Sequence, residues 1–313
     1  ARVAGVVAVV WRTSSGAVRY SYALSTIHTS WAAPTTLLAS GATGGADSLA
    51  LFATSSDTRA VIVYATSSGT RVAVATSTSS TPSFTTRSVG NGGAINMVAG
   101  TVTGSGRLAI AARGLNPSRP SMLSVLHAAD TLASSFDYRE NWVCCADRAI
   151  GAGTLSNGRA VLLYHPSASI QRMYASADTT GFGFGTLRDI SLSGTTLLTG
   201  TRVADAALVD GGASFGTAYV DANHDLLYHS TTDTFSTDFV DNGDVVHALD
   251  AAHTPSHITL LDEANVATLV YVAGGVVYHN PRALASPTPP PPTVPPPTAP
   301  PPVGAVWDVM STS

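Results

Sequence analysis

The sequence predicts an all-β protein: a six-bladed β-propeller followed by a polyproline II rod and a terminal donor strand. Three observations predict it. A hairpin occurs twice about fifty residues apart, as "WRTSSGAVRY" at 11–20 and "YATSSGTRV" at 64–72, each with an aromatic leading into Thr-Ser-Ser-Gly. Aromatics expected to close strands recur at Trp31, Phe84, Phe136, Phe184 and Phe235, in steps of 53, 52, 48 and 51. Between them lie short apolar runs divided by Gly, Ser, Asn and Asp turns, four runs to a unit, as in "SLALFAT", "RAVIVYAT", "RVAVATS" and "SFTTRSV".

A period near fifty with four strands per unit fits a propeller, in which each blade covers the apolar face of the next. An open solenoid is the competing arrangement. The small residues in "INMVAG" and "AIGAGT" suit first strands crowded about a central axis and favour the closed ring. A second aromatic series, Trp11, Tyr64, Tyr164, Tyr219 and Tyr271, with Ala112 taking the third place, marks the second strand of each unit. The blades are expected at 1–41, 46–90, 94–143, 147–194, 197–243 and 246–285, which makes residues 1–285 one propeller domain.

Composition agrees. Only 12% of the 313 residues are charged and 44% are hydrophobic, so the chain folds and can bury a large core. Every one of the 16 cations is Arg, scattered singly, and the net charge is −4; nucleic acid is not an expected partner. The longest apolar runs, such as "VAGVVAVVW" at 3–11, fall short of a membrane span, and any export leader is expected to have been removed ahead of Ala1.

The first blade begins at Ala1 with what the second blade calls its second strand, so its innermost strand is expected to be missing. The other end of the chain offers a replacement. "AVWDVMSTS" at 305–313 is patterned like "DSLALFATSS" at 47–56, an apolar strand running into small hydroxyl residues. Val306, Trp307, Val309 and Met310 are the residues such an assembly strand would bury. Between blade six and this strand lies "SPTPPPPTVPPPTAPPP", within a linker at 286–304. Its Pro287 to Pro302 favour polyproline II and at about 3.1 Å per residue extend to roughly 50 Å. A body of this size is also roughly 50 Å across. The rod therefore spans to a neighbouring molecule, and the expected partners are identical subunits joined head to tail into a filament by strand addition. Closure in cis, or a covalent tandem chain, uses the same strand.

The proline tract resembles the hydroxyproline-rich glycoproteins of plant and green-algal cell walls and flagellar surfaces, over about 17 residues and by composition. That resemblance implies an extracellular location and covalent O-glycans. The acceptors would be Pro287, Pro289, Pro290, Pro291, Pro292, Pro295, Pro296, Pro297, Pro300, Pro301 and Pro302, with Ser286, Thr288, Thr293 and Thr298. The alternatives are an unmodified spacer or a ligand for a proline-binding module. No N-glycosylation sequon is present.

In period alone the repeat is similar to six-bladed sialidase-like hydrolases and fucose-binding lectins. The sialidase "SxDxGxTW" box is missing, and with only two glutamates, Glu140 and Glu263, no enzymatic role is expected. No catalytic residue, cofactor or metal site is assigned. "DANHD" at 221–225 lacks the glycine and the bidentate glutamate of a calcium loop and reads as a hairpin turn. If a glycan binds, the candidate site is "YRENWVCCADR" at 138–148, where Arg139, Glu140, Trp142, Asp147 and Arg148 set an aromatic beside hydrogen-bonding groups. Its bland alternative is a structural insertion pinned by Cys144 and Cys145, the only cysteines, which form a vicinal disulfide or remain two thiols. The expected function is a structural filament subunit; the alternative is a monomeric carbohydrate-binding propeller.

Overall fold

The computed structural model describes residues 1–282 apart from 25–29, 57, 79–81, 141–149, 168–169, 177, 181–183, 192–206, 210–213, 233–239, 248–253, 255, 264–265 and 275. The chain is all-β and forms successive antiparallel sheets, each built from strands adjacent in sequence. The first contains β1 (Arg2–Val3), β2 (Val6–Arg12), β3 (Val18–Tyr22) and β4 (Thr35–Leu38). In the second, β5 (Ala42–Thr43) and β6 (Leu49–Ala53) both pair with β7 (Ala60–Thr66), followed by β8 (Gly69–Ala75) and β9 (Phe84–Val89). The third holds β10 (Met97–Val102), β11 (Leu108–Arg113), β12 (Leu123–Ala128) and β13 (Phe136–Glu140). The fourth holds β14 (Ile150–Thr154), β15 (Ala160–Ser167), β16 (Ile170–Ser176) and β17 (Phe184–Ser191). The fifth runs β18 (Ala207–Val209), β19 (Ser214–Val220), β20 (Leu226–Thr232) and β21 (Val240–His247). Three strands, β22 (Ser256–Glu263), β23 (Val266–Ala273) and β24 (Val276–Arg282), make the sixth.

Both aromatic series find a structural meaning among the described residues, outside which Phe235 lies. Phe84, Phe136 and Phe184 open the outermost strands of their sheets. Trp31 differs: it makes an isolated bridge to Ala23 and stays 41% exposed. Trp11, Tyr64, Tyr164, Tyr219 and Tyr271 all lie on second strands. "DANHD" is a hairpin turn, with Asp221 Oδ1 accepting from the backbone N–H groups of Asn223 and Asp225 at 2.9 Å each.

The core lies between sheets, because alternate side chains of one strand serve two different neighbours. In β7 every residue is buried. Ala60, Ile62 and Tyr64 pack against Ala8, Val18 and Tyr20 of the first sheet. Val61, Val63 and Ala65 pack against Val98, Leu108 and Ile110 of the third. The same two-sided use joins the third sheet to the fourth and the fifth to the sixth.

Small residues permit this close approach. A Cβ on Gly100 of β10 would stand 2.9 Å from the Phe52 ring, as the crowded first strands predict. At the hairpin tips the backbones themselves meet: Gly104 N–H donates to Gly158 O at 2.8 Å across the third and fourth sheets. Thr101 and Thr154 hydroxyls join the same two sheets at 2.7 Å.

Two expectations are corrected. Residues 1–3 do not begin the second strand of the first sheet. Ala4 and Gly5 take positive φ, 51° and 78°, and fold them back as a short hairpin in which Arg2 pairs with Val7 and Val3 with Val6. The first sheet therefore does carry an innermost strand of its own, though only two residues long, and Val3 is buried in the core. The second unit also begins before residue 46, since β5 pairs with Thr66 and Ala65 of β7. Residues 283–313, with the proline rod and the assembly strand, lie outside the described residues.

The tip contact predicts a clear substitution effect. A methyl at Gly104 would sit 2.6 Å from Gly158 Cα, whereas one at Gly45 meets nothing within 4 Å. Gly104→Ala should lower stability by about 1–3 kcal/mol through overpacking, and Gly45→Ala should stay close to neutral. Chemical denaturation midpoints of the two variants, read at unchanged slope, test this.

Candidate cleft between the first and second sheets

The hairpin tips that repeat in the sequence become chemistry where two sheets diverge. Thr13 Oγ1 accepts from Ala17 N–H at 3.0 Å and meets Ser15 Oγ at 2.9 Å; Thr66 Oγ1 donates to Gly69 O at 2.9 Å and meets Ser68 Oγ at 3.1 Å. Threonine locks each tip through its own backbone, which leaves the serines facing outward. Ser14, Ser15, Ser67 and Ser68 are exposed.

Between these tips and the run after β4 lies a cleft of about 420 Å³, lined by Leu37, Leu38, Ser40, Gly41, Tyr64, Thr66, Ser67, Ser68, Arg71 and Thr86. A second hollow of about 320 Å³, lined by Arg12, Thr13, Ser14, Ser15, Gly16, Gly41 and Ala42, adjoins it and shares Gly41. The cleft floor is set by strand register. Tyr64 stands opposite Arg71, and Arg71 opposite Ser88, so one row crosses β7, β8 and β9 on the face toward the first sheet. The Arg71 guanidinium donates to Ser88 Oγ and, at 3.2 Å, to Ser68 Oγ. Burial pushes the Tyr64 phenol up, while its bond to Thr86 and the nearby Arg71 pull the other way. The cleft therefore offers a neutral phenol, many hydroxyls and a guanidinium, beside the apolar edges of Leu37 and Leu38.

A third hollow of about 320 Å³ opens between the same sheets beside the N-terminal hairpin, with Val3, Val6, Tyr20, Tyr22, Leu24, Ser77 and Thr78 in its lining. Tyr20 packs edge-on to Phe84 at 5.4 Å and near Tyr22 at 6.3 Å. Burial, reinforced by Tyr22, raises the Tyr20 pKa to about 12.

The sequence-predicted glycan site is placed only in part. Arg139 and Glu140 end β13, opposite Val125 and Ser124. Trp142, Cys144, Cys145, Asp147 and Arg148 lie outside the described residues, as do the assembly strand and every O-glycan acceptor. Tyr64 and Arg71 were missed as site residues. Their signal was in the repeated hairpin itself: an aromatic followed seven or eight residues later by arginine, as Trp11 and Arg19, Tyr64 and Arg71, Tyr164 and Arg172. All three pairs are in cross-strand register.

Among the described residues no group of His, Cys, Asp and Glu is arranged to hold a metal, and no helix is long and apolar enough to cross a membrane. No protein-family model and no curated protein matches the chain. Solved structures do match in fold. The BP39L lectin from Burkholderia pseudomallei superposes with a TM-score of 0.60 at 11% identity, over 87% of this chain and 79% of the lectin. SapL1 lectin in complex with α-methyl fucoside gives 0.60 at 12%, over 90% of each chain. The NanB sialidase from Streptococcus pneumoniae gives 0.63 at 9%, over 88% of this chain and 66% of the sialidase. At these identities the likeness establishes the fold, a β-propeller of the kind found in lectins and sialidases.

The Tyr20 environment predicts an alkaline transition. A phenol whose pKa is raised in the folded state contributes stability that is intact below the unfolded value of 10 and lost as pH climbs to about 12. Thermal midpoints measured from pH 9 to 12 should fall for the native chain and fall less for Tyr20→Phe.

Proposed function

We propose that this chain is a carbohydrate-binding β-propeller whose described sugar site is the cleft between its first and second sheets. The observation that carries this reading is the row of Tyr64, Arg71 and exposed serines along a concave, partly apolar groove, on a fold shared with lectins. A sugar presents apolar C–H faces and a rim of hydroxyls; Leu37 and Leu38 suit the former, the Tyr64 hydroxyl, the serines and Arg71 the latter. Binding is favoured over hydrolysis because the lining of neither this cleft nor its neighbour includes an Asp or Glu to protonate a leaving group, and most glycosidases use a pair of carboxylates. Sialidases share the fold, so hydrolysis of a sialoside or other glycoside by the purified chain is the result that would replace this reading. The six sheets are taken as six blades of one ring.

Glycan-array binding by the full chain tests the proposal. Replacing Ser40 and Ser67 together by leucine fills the cleft from its exposed rim without touching the core. Affinity should fall at least tenfold with the fold retained; unchanged binding would place the site elsewhere.

A second reading, a head-to-tail filament, is favoured by one specific feature. In the second sheet β6 pairs with β7 from Ala60 to Tyr64, whereas β1 covers only the start of β2. Val9 is accordingly 38% exposed and Val10 and Trp11 half-buried, while their counterparts Ile62, Val63 and Tyr64 are buried to 3% exposure or less. Residues 305–313, patterned like β6, would complete that edge in a neighbouring subunit, with the glycosylated proline rod as spacer in an extracellular assembly. Deleting residues 304–313 should then abolish polymer and leave folded single units in sedimentation. A monomer before and after the deletion, with a lowered melting temperature, would assign the segment to closure in cis.

A further inference from the structure

Resting on the carbohydrate reading, we infer that the cleft between the first and second sheets selects acidic saccharides, with Arg71 receiving a carboxylate or sulfate of the ligand. The argument starts from what Arg71 lacks. Its guanidinium offers five N–H donors, and its partners among the described residues are two serine hydroxyls, Ser68 and Ser88. Both are neutral acceptors, weaker than an anion and unable to form the paired fork that guanidinium makes with a carboxylate or sulfate.

The repeat supplies an internal comparison. Arg172 occupies the same register position in the fourth sheet, opposite Tyr164, and its neighbour on the next strand is Asp189. In the second sheet Ser88 stands at that place. The register position beside the arginine is thus an aspartate in the fourth sheet and a serine in the sheet that forms the cleft. The adjoining hollow adds Arg12, and no acidic side chain is among the residues lining either space. Two guanidinium groups and no carboxylate, in a chain of net charge −4, make a local positive groove on an acidic protein. The two hollows adjoin at Gly41, and a ligand reaching both would be longer than one sugar ring.

Calorimetric titration of the full chain with trigalacturonate and with its fully methyl-esterified form tests the inference, alongside a sulfated galactan oligosaccharide and its desulfated form. At least one acidic probe should bind tenfold or more tightly than its neutral partner, with an affinity that falls as salt is raised. Arg71→Gln should abolish that preference while leaving weak neutral binding intact. A variant that does not fold is replaced by Arg71→Lys, which keeps the charge but loses the fork and should retain only part of the preference. Equal affinity for acidic and neutral partners overturns the inference and leaves the carbohydrate reading standing. An acid preference that survives both substitutions assigns it to another group and also overturns it. No binding of any of the four probes, together with a blank glycan array, overturns both.

Discussion

The structure depends on burying apolar sheet faces against neighbouring sheets. A lone four-stranded sheet built from "AVIVYAT" and "GTRVAVA" would leave two apolar surfaces in water, and burial at about 25 cal/mol per Å² is what makes stacking favourable. Because alternate residues point to opposite neighbours, both faces of a second strand favour apolar residues, and β7 as far as Ala65 and β15 as far as Tyr164 are continuous hydrophobic runs for this reason. The low charge of the chain follows, since few positions lie on a surface free to carry it.

That constraint also decides where function can reside. A second strand such as β7 is committed to the core, which leaves chemistry to hairpin tips, outer strands and the wedges where neighbouring sheets splay apart. Tyr64 shows the boundary: its ring belongs to the core cluster between the first two sheets, while its hydroxyl reaches Thr86 at the cleft. One residue further out along the same row, Arg71 is half-buried and already polar. The row runs from packing to recognition within two strands.

Much of the fold was legible in the sequence, because a period of about fifty is imposed by backbone geometry and survives local variation. The strand-opening Phe84, Phe136 and Phe184 and the core aromatics Tyr64, Tyr164 and Tyr271 keep that period since each holds the equivalent strand position in its sheet. Irregular features were less visible. The hairpin at Ala4 and Gly5 depends on two positive φ values that "VAGVVAVVW" conceals inside an apolar run, so the first three residues read as a continuation of β2. Strand β5 is two residues long, below the length at which alternation can be recognised. The cleft was hidden for a different reason: its members come from positions 37 to 86 and are joined by register, whereas the stretch at 138–148 sets an aromatic among charged side chains that are neighbours in sequence.

Repetition with divergence makes one junction unlike another. The row that reads Tyr64, Arg71, Ser88 in the second sheet reads Ala112, Ser124, Glu140 in the third, by the same pairing. The aromatic has become a methyl, the guanidinium position a hydroxyl and the hydroxyl position a carboxylate. A ring of identical blades would repeat one site at every junction and bind through multivalency. Here the register is kept and the chemistry is not, so each wedge must be assessed by its own side chains. The inner edge of β2 is the clearest case: with the same backbone position as β7 but a shorter partner, it leaves Val9 exposed where Ile62 is sealed.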